Sequence, residues 1–272
     1  MKTVICHFYN EEFLLPWWLR HHSKLFDHGI MIDYGSTDRS CDLISRICPS
    51  WQIVPSRNEH FDGVVIDQEV MAYERMITGW RITLNVTEFL FGNMNRLHNR
   101  QGEMTQHLLT NYVFVDMEDA EKGPTHLLHD IPLHEQRYWG YHDMLNTGET
   151  RIAESETEED EGLFGKHFRM NRSIHNFPIT YTGGRHFPNT DYSFDDLVIF
   201  YYSWADLGPQ GLARRLQIKD KIGTDTNTIH HWGQDKILTT ARKIMQPACK
   251  DLRETIARFL AFRQIAELNA RF

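Results

Sequence analysis

The stretch Met1–Asp38 limits what this chain can fold into more than any other. Thr3–Tyr9 is short, apolar and closed by a polar break, as a buried strand is. Asn10-Glu11-Glu12 then offers a helix start, with carboxylates at the positive end of the helix dipole. Phe13, Leu14, Trp17, Trp18 and Leu25 give that helix an apolar face. Gly29–Asp33 reads as a second strand, and Tyr34-Gly35-Ser36-Thr37-Asp38 as a polar turn into a second helix. A strand–helix–strand unit this early calls for a parallel sheet, with ligands at the carboxyl ends of its strands. Those ends carry Glu11, Glu12, Asp33 and Asp38. Helix capping alone needs fewer acids than four at two adjacent strand ends, so the cluster points to a bound ligand.

These residues also resemble a family. YNEEFLLPWWL resembles the "NEE…L…WL" opening of family 2 glycosyltransferases, and IDYGSTDRS resembles their "D-[DN]-GSTD" turn. The two motifs stand in the family's order, one helix apart, and the resemblance covers roughly the first third of the chain. It implies a GT-A-like, Rossmann-like α/β fold, a mostly parallel sheet flanked by helices, that binds a nucleotide-diphospho-sugar. In the family, the first motif's acid and the aspartate opening the second hold the nucleoside. By position these are Glu11 or Glu12, and Asp33, with Asp38 closing the same turn.

A length of 272 residues suits one large α/β domain, or one domain with an appended helical piece. The expected division is a glycosyltransferase-like domain over 1–233 and a helical extension over 234–272 packed on it. The net charge of −8 argues against broad nucleic-acid binding. It also means that an anionic diphosphate needs a local basic patch or a metal. Cys6, Cys41, Cys48 and Cys249 lack C-x-x-C spacing, so a reducing compartment is the expectation. With no apolar run of membrane-span length and no leader, the sequence reads as cytoplasmic.

Further along, the pattern predicts a helix over Asp38–Cys48 capped by Ser36 or Thr37, and a strand over Trp51–Val54. A helix follows over Val64–Thr78 and a strand over Trp80–Leu84. Asn85-Val86-Thr87-Glu88-Phe89 comes next. In many relatives the strand here runs into D-x-D-E-F, whose aspartates bind a divalent cation bridging the two phosphates. Asn85 and Thr87 stand where the acids would be, and Glu88 and Phe89 match. Asn, Thr and Glu can each offer an oxygen to a hard cation such as Mn or Mg, at far lower combined charge. Three outcomes stay open: metal held by Glu88 plus a distant ligand, metal-free catalysis using Arg, Lys or His, or lost activity. Relatives often add a late histidine to the metal shell, which makes Asn85, Glu88 and His186 the implied metal set.

Phe91–Gln106 reads as loop before a short helix, and Tyr112–Val115 as a strand ending in Asp116-Met117-Glu118-Asp119. Ile131–Tyr141 looks like a short aromatic helix, and the acidic run Glu149–Gly162 like a solvated loop. Phe164–Arg172 reads as a basic strand, Gly183-Gly184-Arg185-His186 as a glycine turn, and Leu197–Trp204 as a strong strand. Gly208–Lys221 is a helix rich in Arg and Lys. From Gln234 on, two helices broken by Pro247 carry a stripe of Leu252, Ile256, Phe259, Leu260 and Ile265 that docks on the same chain.

Glycosyl transfer needs the leaving diphosphate neutralised, a general base for the acceptor hydroxyl, and both substrates aligned. Glu11, Glu12, Asp33 and Asp38 provide the nucleoside end. Lys166, Arg169, Arg172 and Arg185 can neutralise phosphate where no metal binds. Asp116 and Asp119 are the base candidates by position, with Asp143 and Asp191 as rivals. The expected acceptor is a glycan or lipid-linked saccharide. Two other readings compete: a nucleotide-sugar-binding protein with an impaired site, and a metallohydrolase built from the sixteen histidines, His126 and His129 among them.

Overall fold

The structure is a computed structural model that describes residues 1–97, 104–143, 172–181, 193–222 and 233–269. The first half is a parallel α/β unit. Its elements are β1 (Lys2–Phe8), α1 (Leu15–His22), β2 (His28–Asp33), α2 (Ser40–Ile47), β3 (Gln52–Pro55), α3 (Gly63–Glu74) and β4 (Trp80–Thr83). β1 lies between β2 and β4, parallel to both, and β3 pairs parallel to β2. Side chains alternate across a strand, and both faces of β1 are buried. Val4, Cys6 and Phe8 join the core under α1 and α2, while Ile5 joins Ile32, Ile66 and Val70 under α3.

The second half is mainly antiparallel. It holds β5 (Glu88–Gly92), β6 (Gln106–Val115), α4 (Leu133–Gln136), β7 (Trp139–Asp143), β8 (Arg172–His175), β9 (Ser193–Trp204), α5 (Pro209–Leu216), α6 (Gln234–Thr240), β10 (Lys250–Asp251) and α7 (Arg253–Asn269). One sheet runs β10-β7-β6-β8-β4-β1-β2-β3, with β9 paired to β5 and β6 off that path. β8 is antiparallel to both β4 and β6, so β6 points the same way as β4, and β9 runs parallel to β6. The carboxyl ends of β1, β2, β3, β4, β6 and β9 therefore share one edge.

α1 starts at Leu15 rather than at Asn10. Asn10 sits in the left-handed region at φ 49, a conformation asparagine tolerates, and Pro16 occupies the first helical turn. α2 starts after Asp38, whose Oδ1 accepts from the Ser40 amide at 2.9 Å, in place of a Ser36 or Thr37 cap. The expected aromatic helix over Ile131–Tyr141 is the single turn α4 followed by strand β7, because Tyr141 and Gly140 pair with Val113 and Phe114 of β6. Gly140 is required there: a Cβ would stand 2.2 Å from the Val113 carbonyl oxygen.

Beyond α6 the backbone widens into a π-helix over Ala241–Met245, and Pro247 lies in the short helical turn Gln246–Ala248. Leu252, just before α7, and Ile256 and Phe259 in its first turns are buried in the same core as β5 and β9, with Leu260 packed on its margin. Val113, Val115, Trp204, Leu212 and Ile237 form a further core under α5 and α6. No helix among the described residues is long and apolar enough to cross a membrane.

Candidate functional site

The turns after β1 and β2 interlock at the shared carboxyl edge. Asn10 is the central piece. Its Oδ1 accepts from the amides of Thr37 (2.7 Å) and Asp38 (3.3 Å), and its own amide donates to Ser36 Oγ at 3.0 Å. The left-handed backbone of Asn10 aims its side chain across to the second turn. The Glu11 amide donates to Ser40 Oγ at 2.8 Å and the Glu12 amide to Asp38 Oδ2 at 2.9 Å. Asp33 Oδ1 accepts from the Ser36 amide at 2.9 Å. Its Oδ2 has a thiol as its neighbour, Cys41 Sγ at 3.6 Å, and a thiol is a weak donor. Burial, then the nearby Asp33 charge, push the Cys41 thiol up to about 11, so it stays protonated beside that oxygen.

The four acids differ in what they do. Asp38 braces both turns with its two oxygens. Glu12 pairs at the surface with Arg39, at 3.1 Å. Glu11 accepts a two-point bond from Arg214 of α5, at 2.6 and 2.8 Å, with both side chains largely buried. Burial pushes the Glu11 carboxyl up against the pull of that guanidinium. Half-buried Asp33 is the acid with an oxygen left to a weak partner.

Sequence reasoning missed the residues that hold this rim from outside. Glu69 of α3 is buried and gathers the end of β3. It accepts from Ser56 Oγ (2.8 Å), the Arg57 amide (2.7 Å) and Asn58 Nδ2 (3.1 Å). Gln217, just past α5, donates to the carbonyl oxygens of Tyr9 and Asn10. Lys221 Nζ lies 4.9 Å over the Tyr9 ring. The basic character of Gly208–Lys221 was the one available signal for Arg214 and Lys221; nothing in the pattern marks Glu69.

The end of β4 is built differently. The Glu88 amide donates to the Asn85 carbonyl at 2.9 Å, and Glu88 Oε2 accepts from the Asn85 amide at 2.7 Å, closing a tight turn into β5. Arg172 of β8 takes the same carboxylate, with Nε 3.0 and 2.9 Å from its two oxygens and Nη2 at 2.8 Å. The side chains of Arg172 and Glu88 are 2% and 1% exposed. This corrects two expectations. Glu88 is committed to Arg172 and to the Asn85 amide instead of to a cation, and Arg172 is committed to Glu88 instead of to phosphate. The neutral side chains of Asn85 and Thr87 add no charge, so the end of β4 does not fit a divalent metal. No three His, Cys, Asp or Glu side chains are grouped to hold a metal ion among the described residues.

Asp116 and Asp119 are also placed otherwise than a base requires. Asp116 Oδ2 accepts from the Leu207 amide (3.0 Å), and Oδ1 faces the Glu118 amide (3.3 Å) and Arg137 Nη2 (3.5 Å). It is a buried brace between the ends of β6 and β9. Asp119 accepts from the Glu121 amide at 3.1 Å and pairs with Lys122 at the surface. The missed carboxylate at this edge is Asp206, just beyond β9. Its Oδ1 accepts from the Gly208 amide at 2.7 Å. Burial pushes its carboxyl up, the Gly208 amide opposes that rise, and the Asp116 charge adds to it. Gly211 allows the approach: a Cβ there would stand 2.2 Å from the Asp206 carbonyl oxygen. Beside these acids Glu118 holds φ 53 and pairs with Arg242 through two bonds, at 2.8 and 3.0 Å.

Arg185 and His186, with Lys166, Arg169 and Asp191, lie outside the described residues. Asp143 ends β7, which runs opposite to β6, so its backbone stands away from the shared edge's strand ends. His22 and His129 serve packing, while His175 pairs with the buried Glu74 carboxylate at 3.2 Å. His22 accepts from the Leu90 amide at Nε2 (3.2 Å), and its Nδ1 lies 3.0 Å from the Trp18 carbonyl. His129 stacks on Trp17 at 4.0 Å.

No family model matches the chain, and no curated protein matches it. Among solved structures it is similar to S. aureus TarS, with 13% identity and a TM-score of 0.26 over 33% of this chain and 17% of that one. It is similar to glucosyl-3-phosphoglycerate synthase from Mycobacterium tuberculosis in complex with Mn2+, uridine-diphosphate and glucosyl-3-phosphoglycerate. There the identity is 15% and the TM-score 0.30, over 42% of this chain and 44% of that one. A mycobacterial protein gives 16% identity and a TM-score of 0.29, over 42% and 40%. The chain spans less than half the length of each of these proteins. Likeness at this level fixes neither activity nor ligand here.

Proposed function

We propose that the chain is a glycosyltransferase, moving a sugar from a nucleotide-diphospho-sugar to a hydroxyl of a glycan or lipid-linked saccharide. One observation carries the reading. The two turns that resemble the family 2 motifs interlock at the carboxyl edge of adjacent parallel strands, where open α/β sheets bind ligands. In this reading Asp33 accepts from the nucleoside through Oδ2. Asn10, Asp38 and Glu12 shape the two turns, and Glu11 with Arg214 forms the wall beside it.

Asp206 is the base in this proposal. A carboxylate raised by burial holds a proton better than an exposed one, and it stands at the same edge beyond β9. The acceptor's hydroxyl proton passes to Asp206 as its oxygen bonds to the anomeric carbon. The bond from that carbon to the diphosphate breaks, and its electron pair leaves with the nucleoside diphosphate. A single displacement of this kind inverts the anomeric centre.

The test is a thermal-shift screen with UDP, GDP and dTDP, followed by transfer assays with the donor sugars of whichever binds. Binding to the folded state alone raises the melting temperature by mass action. Asp206→Asn is expected to cut transfer by about 10²–10⁴-fold and to leave nucleotide binding unchanged. No shift with any nucleotide would sink the reading. The neutral end of β4 favours a second reading, a nucleotide-sugar-binding protein that does not transfer. Nucleotide binding with no nucleotide release across the donor panel would select it.

A further inference from the structure

We infer that this nucleotide site neutralises its diphosphate with protein cations rather than with a divalent metal, and that Lys221 is the principal one. The inference rests on the nucleotide reading above. Two observations carry it, one at each end of the shared edge.

At the end of β4, the carboxylate that resembles a metal ligand is already neutralised. Arg172 and the Asn85 amide occupy both oxygens of Glu88, and the pair is sealed from water. A hard cation gains little from the remaining Asn and Thr oxygens. Recruiting Glu88 would pull it away from the buried Arg172 guanidinium, which contacts both of its oxygens.

At the ends of β1 and β2, the segment Pro209–Lys221 brings positive charge to the rim. Arg214 is spent on Glu11. Lys221 is not spent on an acid: no carboxylate lies within 4 Å of its ammonium among the described residues. The backbone beneath it is fixed, because the Phe61 amide donates to the Lys221 carbonyl at 2.6 Å and Phe61 bridges to Ile222. The ammonium itself rests over Tyr9, and a Cβ on Gly35 would come within 3.8 Å of it. Gly35 has φ 77 and no side chain, which leaves the space between the two turns open to that charge. A compact ammonium on a flexible stem can follow a diphosphate placed there. In a chain of net charge −8, such a cation has an electrostatic use that the surrounding field does not supply.

The experiment is isothermal titration of UDP, GDP and dTDP, and of uridine, guanosine and thymidine, with EDTA and again with Mn2+. With EDTA the preferred diphosphate is expected to bind at least about tenfold tighter than its nucleoside, and Mn2+ is expected to change this by less than about twofold. Lys221→Met is expected to erase most of that preference while nucleoside affinity stays unchanged, and Lys221→Arg to retain it. On the wild-type protein, raising the ionic strength is expected to weaken the diphosphate and not the nucleoside. Diphosphate affinity that appears only with Mn2+ overturns the inference and leaves the nucleotide reading standing. So does a preference that survives in Lys221→Met. If neither nucleosides nor diphosphates bind under either condition, the nucleotide reading falls and takes this inference with it.

Discussion

The ends of β1 and β4 are neighbours in the sheet, and each places a glutamate against an arginine from far along the chain. The two pairs behave oppositely. Glu11 meets Arg214 at the rim, with side chains 15% and 11% exposed, beside turns that hold each other through amides and hydroxyls. Glu88 meets Arg172 beneath the surface at 1% and 2% exposure, and its second job is to close a turn. One carboxylate lies at the rim beside the interlocked turns; the other ties β5 to β8. The same residue types in similar strand-end positions thus separate into a rim contact and an internal fastening, and depth decides which.

The largest expected effect comes from breaking the internal fastening. Glu88→Ala takes from the buried Arg172 guanidinium the carboxylate that pairs with it, so it is expected to cost about 3–5 kcal/mol in denaturant unfolding. Replacing both partners, Glu88→Leu with Arg172→Met, is expected to recover most of that loss. A single substitution costing well under 1 kcal/mol would show that the pair is not a fastening. At the rim the effect should be on binding instead. Asp33→Ala is expected to weaken nucleotide affinity by about 1.5–3 kcal/mol, tenfold or more, at nearly unchanged melting temperature. Undiminished affinity would remove Asp33 from the site.

Acid sharpens the contrast, because the buried neutral His22 fastens α1 to β5 and the partly buried His107 of β6 stacks on Trp80. Burial holds His22 well below the usual histidine range, and burial lowers His107 to about 4. The unfolded chain takes up these protons near pH 6.5, and the folded one only further down. Stability is therefore full above about pH 6.5 and falls as the pH drops toward 4, by at most about 1.4 kcal/mol per pH unit for His22 and by less for the partly exposed His107. His107→Gln is expected to flatten the slope by one histidine's share, as read from urea midpoints across that range. The smallest effect is at Asn10. Asn10→Gly keeps the left-handed backbone and loses the side-chain bonds, so about 1 kcal/mol is expected; Asn10→Ala adds about 1 kcal/mol of strain to that. Equal costs for the two would mean that the φ of 49 carries no penalty there.

Much of the first half was legible in the sequence. Thr3–Tyr9 and Gly29–Asp33 lie within a residue of β1 and β2, because two-sided apolar runs bounded by polar turns have few other uses. The second half was less legible. Trp139–Tyr141 reads as part of an aromatic helix until Val113 and Phe114 supply its partners, and strand pairing at that sequence distance leaves no local mark. The site divides the same way. Glu11, Glu12, Asp33 and Asp38 are brought together as their spacing suggests, whereas Arg214 and Lys221 reach the rim only through tertiary packing. Glu88 looked like a ligand because a carboxylate after a strand is the same letters whether it faces water or an arginine.

The outermost strands bear on how this protein behaves in a crowded solution. β3 is four residues long and finishes at Pro55, which has no amide hydrogen to offer a newcomer. At the far side the two-residue β10, Lys250–Asp251, covers β7 with one charge of each sign. Such borders give a passing polypeptide little to zip onto. Losing the chain from Lys250 onward would bare Trp139–Asp143 and expose an adhesive flank, so clumping rather than simple unfolding is the failure to expect from that truncation.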